Sequence, residues 1–240
     1  MVEIGAHLQH GVIVADLARE DIRHRAMDRG EIVILKQAFD PDLLTAVRTA
    51  TFAWGQVIPA GDVDDFSGNY HRRRAMISRL QQAPHIFHDY NFNALGAAPA
   101  ALQGLLLRLF EPLRGLFRDL TGIETSFVAP ATGAYVHPQL IQYPNGGGFF
   151  GRHWHNLHPQ QLGFIVSLSK RGLDYRNGGT CFEIDGDVLD LGDRQDIGDI
   201  TVWRYDHQHW VTQSDLKEKF DWDRADGRWV ATYAYFDPFA

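Results

Sequence analysis

The chain contains very little cysteine, since Cys181 is the single one among 240 residues. One thiol excludes an internal disulfide framework, and this favours a reducing compartment, so we expect a cytoplasmic protein. Cys181 follows Gly-Gly-Thr inside an apolar run, which indicates a buried, inert thiol. The N-terminus lacks a basic segment followed by an apolar one, and we expect no signal peptide.

Positive charge and long apolar runs are also scarce. The formal net charge is -7, and lysine and arginine are scattered, which argues against a nucleic-acid partner. No apolar run approaches the ~18–20 residues that cross a bilayer, so no membrane partner is expected. Nothing in the sequence indicates an oligomeric state.

No break in composition divides the chain, so residues 1–240 are expected to form one domain. Residues 1–130 are predicted to be mainly helical support, with a single strand at 31–36. Asp40-Pro41 is typical of a helix start, with aspartate as the cap and proline in the first turn. Leucines at three- and four-residue steps predict a longer helical region over 98–120.

Residues 131–240 have a different character, because short apolar, β-branched runs alternate with glycine, asparagine and aspartate turn signals. Many short strands of this kind predict a barrel or a double-sheet jelly roll. The expected fold class is therefore α+β dominated by a β core, with a jelly-roll barrel and supporting N-terminal helices. The predicted strands are 140–143, 162–168, 180–184, 200–203 and 229–236.

Two histidines two residues apart, His153 and His155, lie in a predicted strand. Residues i and i+2 of a strand point to the same side, so both side chains can aim at one point. His209 is a third candidate further along the chain. A same-face pair and one distant histidine can hold a transition metal and leave positions open for chemistry. His207 shares the strand face of His209 and remains open as the ligand or as its support.

Residues 135–236 resemble the iron(II)- and 2-oxoglutarate-dependent oxygenases, which fold as a double-stranded β-helix. The family order is a Gly-rich turn, a His-x-Asp strand, an apolar strand, a Gly-Gly strand, a Gly-Asp turn, a distal histidine and an arginine. Seven matching segments occur here in that order, with His-x-His replacing His-x-Asp. They are residues 145–150, 153–155, 164–168, 178–180, 198–200, 209–211 and 227–229.

The resemblance implies Fe(II), 2-oxoglutarate and O2 as cofactors, and a small organic substrate that is hydroxylated, desaturated or cyclised. It implies that His153 and His209 bind the metal and that Arg228 binds the distal carboxylate of 2-oxoglutarate. A guanidinium suits this role because its planar fork matches a carboxylate. Gln142 and Tyr143 are further candidates for contacts with the co-substrate. We expect the strands of His209 and Arg228 to be hairpin neighbours.

His155 stands where the family has the carboxylate that completes the metal site. Three outcomes are open: His155 ligates and gives a three-histidine site, it turns away and leaves a vacancy as in related halogenases, or Asp206 supplies the carboxylate. The ligand chemistry favours the first, so the predicted metal ligands are His153, His155 and His209.

A basic cluster, His71-Arg72-Arg73-Arg74, follows a predicted loop. It is either a solvated loop or a lid whose side chains bind an anionic group of the substrate.

Two other functions remain open. A three-histidine dioxygenase of cupin type would not use 2-oxoglutarate, and a non-catalytic barrel would bind a small ligand or a partner. If oxygen consumption persists after Arg228 is replaced, the cupin-type dioxygenase is favoured over the family reaction. If the purified protein holds no stoichiometric iron, the non-catalytic barrel is favoured. The identity of the substrate is not indicated by the sequence.

Overall fold

The structure, a computed structural model, describes residues 1–61, 68–76, 83–127 and 135–236. Its strands are β1 (Val2–Gln9), β2 (Val12–Ala15), β3 (Val33–Lys36), β4 (Asn69–Met76), β5 (His85–Phe92), β6 (Tyr135–Tyr143), β7 (Gly148–His153), β8 (Leu162–Ser167), β9 (Thr180–Ile184), β10 (Asp187–Asp190), β11 (Ile200–Arg204), β12 (Gln208–Ser214) and β13 (Arg228–Phe236). Its helices are α1 (Arg19–Arg23), α2 (Pro41–Val57) and α3 (Ala100–Thr121), with a π-helical segment at His24–Asp28 and a 3-10 turn at Leu95–Ala97.

The strands form a continuous sheet that folds back on itself. Its hydrogen-bonding order is β10-β9-β12-β7-β5-β6-β13-β8-β11-β3-β1-β2, with β4 beside β5, so five strands separate β12 from β11. Yet the ring of Trp203 on β11 lies edge-on to Phe182 of β9 and to His209 of β12, at 5.4 Å between centroids in both pairs. The two halves of the sheet therefore face each other around an interior, which confirms the predicted β-dominated jelly-roll barrel.

The long helices cover the outer side of this barrel. Asp40 caps α2 by accepting a hydrogen bond from the backbone N–H of Asp42 at 2.8 Å. The ring of Phe117 on α3 contacts Phe164 of β8 and Tyr233 of β13, at 5.8 and 4.9 Å between centroids. Each apolar side chain buried in this layer contributes roughly 1.5–3 kcal/mol. The layer fixes β8 and β13, whose opposite faces form the interior.

The first half of the chain contributes more strands than the sequence predicts. The strand at Val33–Lys36 and the long helix at Ala100–Thr121 are confirmed. The expectation of a single strand is wrong, because β1, β2, β4 and β5 also belong to the sheet. β5 is central, since it pairs with β4, β6 and β7. It buries two histidines, an aspartate and an asparagine, so it lacks the apolar alternation by which strands are recognised.

Among the described residues, no helix combines the length and the apolar composition that spanning a membrane requires.

A hydrogen-bonded chain of two histidines and a tyrosine is buried between the sheet and α2. The carbonyl of Ile58 can only accept, so His71 Nε2 donates to it at 2.7 Å and His71 Nδ1 is left as an acceptor. His88 Nε2 donates to that Nδ1 at 2.7 Å, and the Tyr90 hydroxyl donates to His88 Nδ1 at 3.0 Å. This order keeps both imidazoles neutral. Burial lowers the pKa of His71, and it lowers the pKa of His88 to about 3.

We predict that this buried chain makes stability fall in mild acid. The pKa of His88 is lower in the folded state than the value of about 6.5 expected after unfolding, so below pH 6.5 the unfolded chain binds more protons. Its contribution is complete above pH 6.5 and declines as the pH falls toward 3. We expect His88→Phe to reduce the pH slope of the unfolding free energy, by up to about 1.4 kcal/mol per pH unit.

The measurement is urea unfolding of both proteins between neutral pH and pH 5, with the exposed His158→Ala as control. The buried histidines that do not contact His88 act equally in each protein, so the difference in slope reports on His88 together with its hydrogen-bond partner His71. Parallel curves for the wild type and His88→Phe would contradict the prediction.

Candidate active site

Strand register brings two of the predicted metal ligands together. His209 of β12 lies directly opposite His153, the last residue of β7, and their ring centroids are 4.2 Å apart. His155 lies two residues beyond the end of β7, and its ring stacks on Tyr205 at 4.4 Å. The potential ligand nitrogens of the three histidines lie within 4.8 Å of one another. The predicted cluster is therefore present in the structure, arranged around one point.

Backbone carbonyls orient two of the three imidazoles. His153 Nδ1 donates to the carbonyl of Gly151 at 2.8 Å, and His209 Nδ1 donates to the carbonyl of His207 at 2.9 Å. These bonds leave the Nε2 lone pair of each ring available to a metal. His207 thus supports His209 through its backbone, while its own Nε2 donates to the carbonyl of Gly30 at 2.9 Å.

Burial keeps the cluster in its neutral form. It lowers the pKa of His153, and it lowers the pKa of His155 to about 4 and that of His209 to about 3, with neighbouring histidines adding to each effect. Neutral imidazole is the form that binds metal. Within the described part of the chain no carboxylate joins the cluster, and Asp206 accepts from Arg204 at 2.7 Å instead. This donor set suits iron and other transition metals that prefer imidazole.

The histidines open onto a cavity of about 150 Å³ inside the barrel. Much of its wall is aromatic or aliphatic, and Trp203 forms one side. Gly163 lies opposite Trp203 in the β8–β11 register, and a Cβ at Gly163 would come within 2.3 Å of the indole. The glycine therefore makes room for the ring. A larger groove of about 910 Å³ lies on the outside, near Lys36 and Arg48, and does not include the histidines.

Arg228 forms a buried, positively charged position in the same interior. It is 2% exposed and lies opposite Tyr143 in the β13–β6 register, with its guanidinium carbon 5.6 Å from the centroid of that ring. Its Nη2 donates to Thr180 Oγ1 at 2.6 Å and to Gln195 Oε1 at 3.4 Å. Burial raises the pKa of Tyr143 to about 12, so its hydroxyl stays protonated.

The free side of Arg228 fits an anionic ligand. Its Nη1 is buried and has no hydrogen-bond partner among the described residues, and none of their carboxylates forms an ion pair with it. A buried cation without a counter-charge is costly, and a bound carboxylate would relieve that cost. Thr180, which holds Arg228, lies opposite Val211, two residues from His209. The residue that holds Arg228 is therefore about 7 Å from the level of His209 along β12.

Two expectations are wrong, one about the orientation of Gln142 and one about the pairing of the strand that carries Arg228. Gln142 points away from the interior, because it alternates with Tyr143 on β6, and its Nε2 donates to the carbonyls of Arg224 and Asp226 at 2.8 and 2.9 Å. The strands β12 and β13 are not hairpin neighbours, since β13 pairs with β6 and β8. Arg228 nevertheless reaches the interior, because the barrel brings separate strands to the same space.

The basic cluster is not a loop or a lid but part of β4. His71 belongs to the buried chain beneath α2, and Arg73 forms an ion pair with Asp223. Arg72 and Arg74 alternate with them on the other face. Arg72 pairs with the buried Asp89 at 2.7 Å, and Arg74 lies over the ring of Phe87 at 5.2 Å. None of the four lines the cavity of the histidines.

Several cavity residues were missed from the sequence. Thr232 had a usable signal, because it lies four residues after Arg228 on one strand and therefore shares its face. The others had none, since their positions depend on strand pairing or loop path. The missed cavity residues are Gln139, Gln160, Trp203, Tyr205 and Thr232. Thr180, which holds Arg228 from outside the cavity lining, was missed as well.

Comparison with known proteins is informative for structure alone. No family model matches the sequence, and no curated protein matches it. Solved structures match over nearly the whole chain. A 2OG-Fe(II) oxygenase family oxidoreductase from Burkholderia pseudomallei has 16% identity and a TM-score of 0.50, covering 98% of this chain and 95% of its own. A prolyl-4-hydroxylase from Pseudomonas putida has 12% identity and a TM-score of 0.56, covering 90% and 96%.

A third match is a prolyl hydroxylase from Trichoplax adhaerens, solved with a peptide fragment of the hypoxia inducible factor oxygen degradation domain. It has 14% identity and a TM-score of 0.57, covering 91% of this chain and 90% of its own. The chain has a double-stranded β-helix fold. The β-helix places His153, His209 and Arg228 on strands that face one interior, as the geometry above describes.

We predict that the three histidines bind one divalent metal ion per chain. His209→Ala removes a buried ligand whose ring is already oriented, so affinity should fall by more than about 100-fold. His155→Asp should still bind, because a carboxylate is an equally suitable ligand for iron. The measurement is anaerobic titration with Fe(II), and with Co(II) followed by its visible absorption.

The exposed His158→Ala serves as the matched control, because it removes an imidazole from the same region of the chain. Unchanged metal affinity in His209→Ala would show that the cluster is only a packing feature.

Proposed function

We propose that the chain is an iron(II)- and 2-oxoglutarate-dependent oxygenase that oxidises a small organic substrate. The observation that carries the proposal is the buried Arg228, whose Nη1 has no partner among the described residues, in the same interior as three convergent imidazoles. Metal ligands alone are compatible with many reactions. A buried guanidinium, held by a residue about 7 Å from the level of His209 along β12, adds a specific requirement for an anionic ligand.

The proposal assigns a ligand to each of these residues. His153, His155 and His209 would hold the iron, and Arg228 with the Tyr143 hydroxyl would hold the distal carboxylate of 2-oxoglutarate. When bound, iron and 2-oxoglutarate supply the oxidising chemistry with O2. The protein orients the ligands and excludes water, and aromatic walls such as Trp203 serve the second purpose.

Replacing the usual carboxylate by His155 changes the charge of the site. Three neutral imidazoles leave a bound divalent ion with its full double charge, whereas a carboxylate ligand would offset one unit. The excess positive charge lies in the same low-dielectric interior as Arg228, so both would attract a doubly negative keto-diacid. The substitution therefore favours an anionic co-substrate and does not argue against one.

The fold supports the proposal by analogy, because a protein named as a 2OG-Fe(II) oxygenase family member shares it.

A second candidate is an oxygenase with a three-histidine metal site that needs no 2-oxoglutarate. A cluster without a carboxylate, among the described residues, is compatible with this candidate as well. This second candidate gives Arg228 no chemical role, so replacing Arg228 distinguishes the two functions. A non-catalytic barrel would hold no stoichiometric metal.

We predict slow succinate release when the protein is incubated in air with Fe(II) and 2-oxoglutarate, because such turnover needs no added substrate. Arg228→Gln removes the charged fork, so the affinity for 2-oxoglutarate should fall about 100-fold. Metal binding should not change. The measurements are succinate formation and anaerobic titration with 2-oxoglutarate.

Arg224→Gln is the control, since Arg224 is exposed in the loop just before β13. The proposal fails if 2-oxoglutarate neither binds nor is converted. Oxygen consumption that persists in Arg228→Gln would favour the second candidate.

A further inference from the structure

A line of hydrogen bonds runs through the sheet from β4 to the cavity. Arg72 donates to Asp89 Oδ2 at 2.7 Å, and Asn91 Nδ2 donates to the same oxygen at 2.9 Å. Asn91 Oδ1 accepts from Gln139 Nε2 at 3.0 Å, and Gln139 Oε1 accepts from the hydroxyl of Thr232 at 2.8 Å. Four neighbouring strands therefore contribute to one connected chain, which we call the polar relay.

The direction of the polar relay is fixed at its buried end. The Asp89 carboxylate can only accept, so Asn91 must turn its amide nitrogen toward it and its oxygen toward Gln139. Gln139 must then present its nitrogen to Asn91 and its oxygen to Thr232, which has to donate. Asp89 is fully buried and Asn91 is 1% exposed, so no solvent is available to satisfy a reversed order.

The last two members of the relay face the cavity that contains the histidines. The single hydroxyl proton of Thr232 is committed to Gln139, so Thr232 offers only an acceptor to a ligand. The second N–H of Gln139 has no partner in the part of the chain that the structure describes, so Gln139 offers a donor. A group that carries a donor and an acceptor side by side satisfies both. A carboxamide does so, whereas a carboxylate of the same shape has no proton to give to Thr232.

We propose that Gln139 and Thr232 form a specificity subsite for an amide group of the substrate, held in orientation by Asp89 and Asn91. This rests on the proposed function, because it places the amide beside the metal that would act on the substrate. A site built around committed donors and acceptors rejects an analogue that cannot match them, since a buried polar group is left unpaired. One such mismatch corresponds to about 10- to 100-fold in affinity.

The test compares matched fragments, benzamide against benzoate and N-acetylglycinamide against N-acetylglycine. Binding is measured by ligand-observed NMR on Zn(II)-loaded protein with 2-oxoglutarate present, and again in an Arg228→Gln background so that Arg228 cannot hold the acids. We expect each amide to bind at least about 10-fold more tightly than its acid. Thr232→Val should remove the preference, and Thr232→Ser should keep it.

Asp89→Asn provides a second readout, because asparagine can donate as well as accept and frees the relay to reverse. We expect the amide preference to decrease in this variant while metal binding is retained. The inference is overturned if amide and acid bind equally to the wild type, if neither binds, or if Thr232→Val keeps the wild-type preference. These fragments report on binding only, so an absence of succinate release would reject the oxygenase reaction and leave the subsite standing.

Discussion

The pairing of β7 with β12 is the constraint on which the site depends. It sets His153 opposite His209, and a slip of one residue would turn every side chain of one strand to the other face. The pairing becomes irregular beyond His209. β12 is also paired with β9, and this second register sets Thr180 opposite Val211. The same strand thus fixes both the imidazole cluster and the residue that holds Arg228.

The charges of the interior, including that of a bound metal ion, would all be positive. Burial keeps three imidazoles neutral, and Arg228 remains a cation without a carboxylate partner among the described residues. A metal ion would add two positive charges, since no acidic ligand accompanies the histidines there. Such an interior is electrostatically incomplete on its own, because uncompensated charge in a low-dielectric space is unfavourable. A dianionic ligand that spans the arginine and the metal would offset two of these three positive charges.

The sequence was informative where local rules decide the structure. Strands bounded by turn signals, such as β8 and β11, and the leucine-rich α3 follow from periodicity. β4 and β5 were missed because their buried faces carry histidine, arginine and aspartate, which are stabilised by partners on other strands. Gln142 was misplaced because a single residue decides which face of a strand a side chain takes. The convergence of the histidines was predictable, whereas the partner strands of β13 depend on the path of the whole barrel.

One strand joins the two ligand positions that the structure suggests. Arg228 and Thr232 share a face of β13 and are separated by four residues, which corresponds to about 13 Å. β13 is paired on one side with β6 and on the other with β8, so this distance cannot change without breaking the centre of the sheet. The anion position and the polar relay are therefore held at a fixed separation. A co-substrate held by Arg228 and a substrate anchored by Thr232 would both lie between these two positions, so the strand limits the combined length of the two ligands.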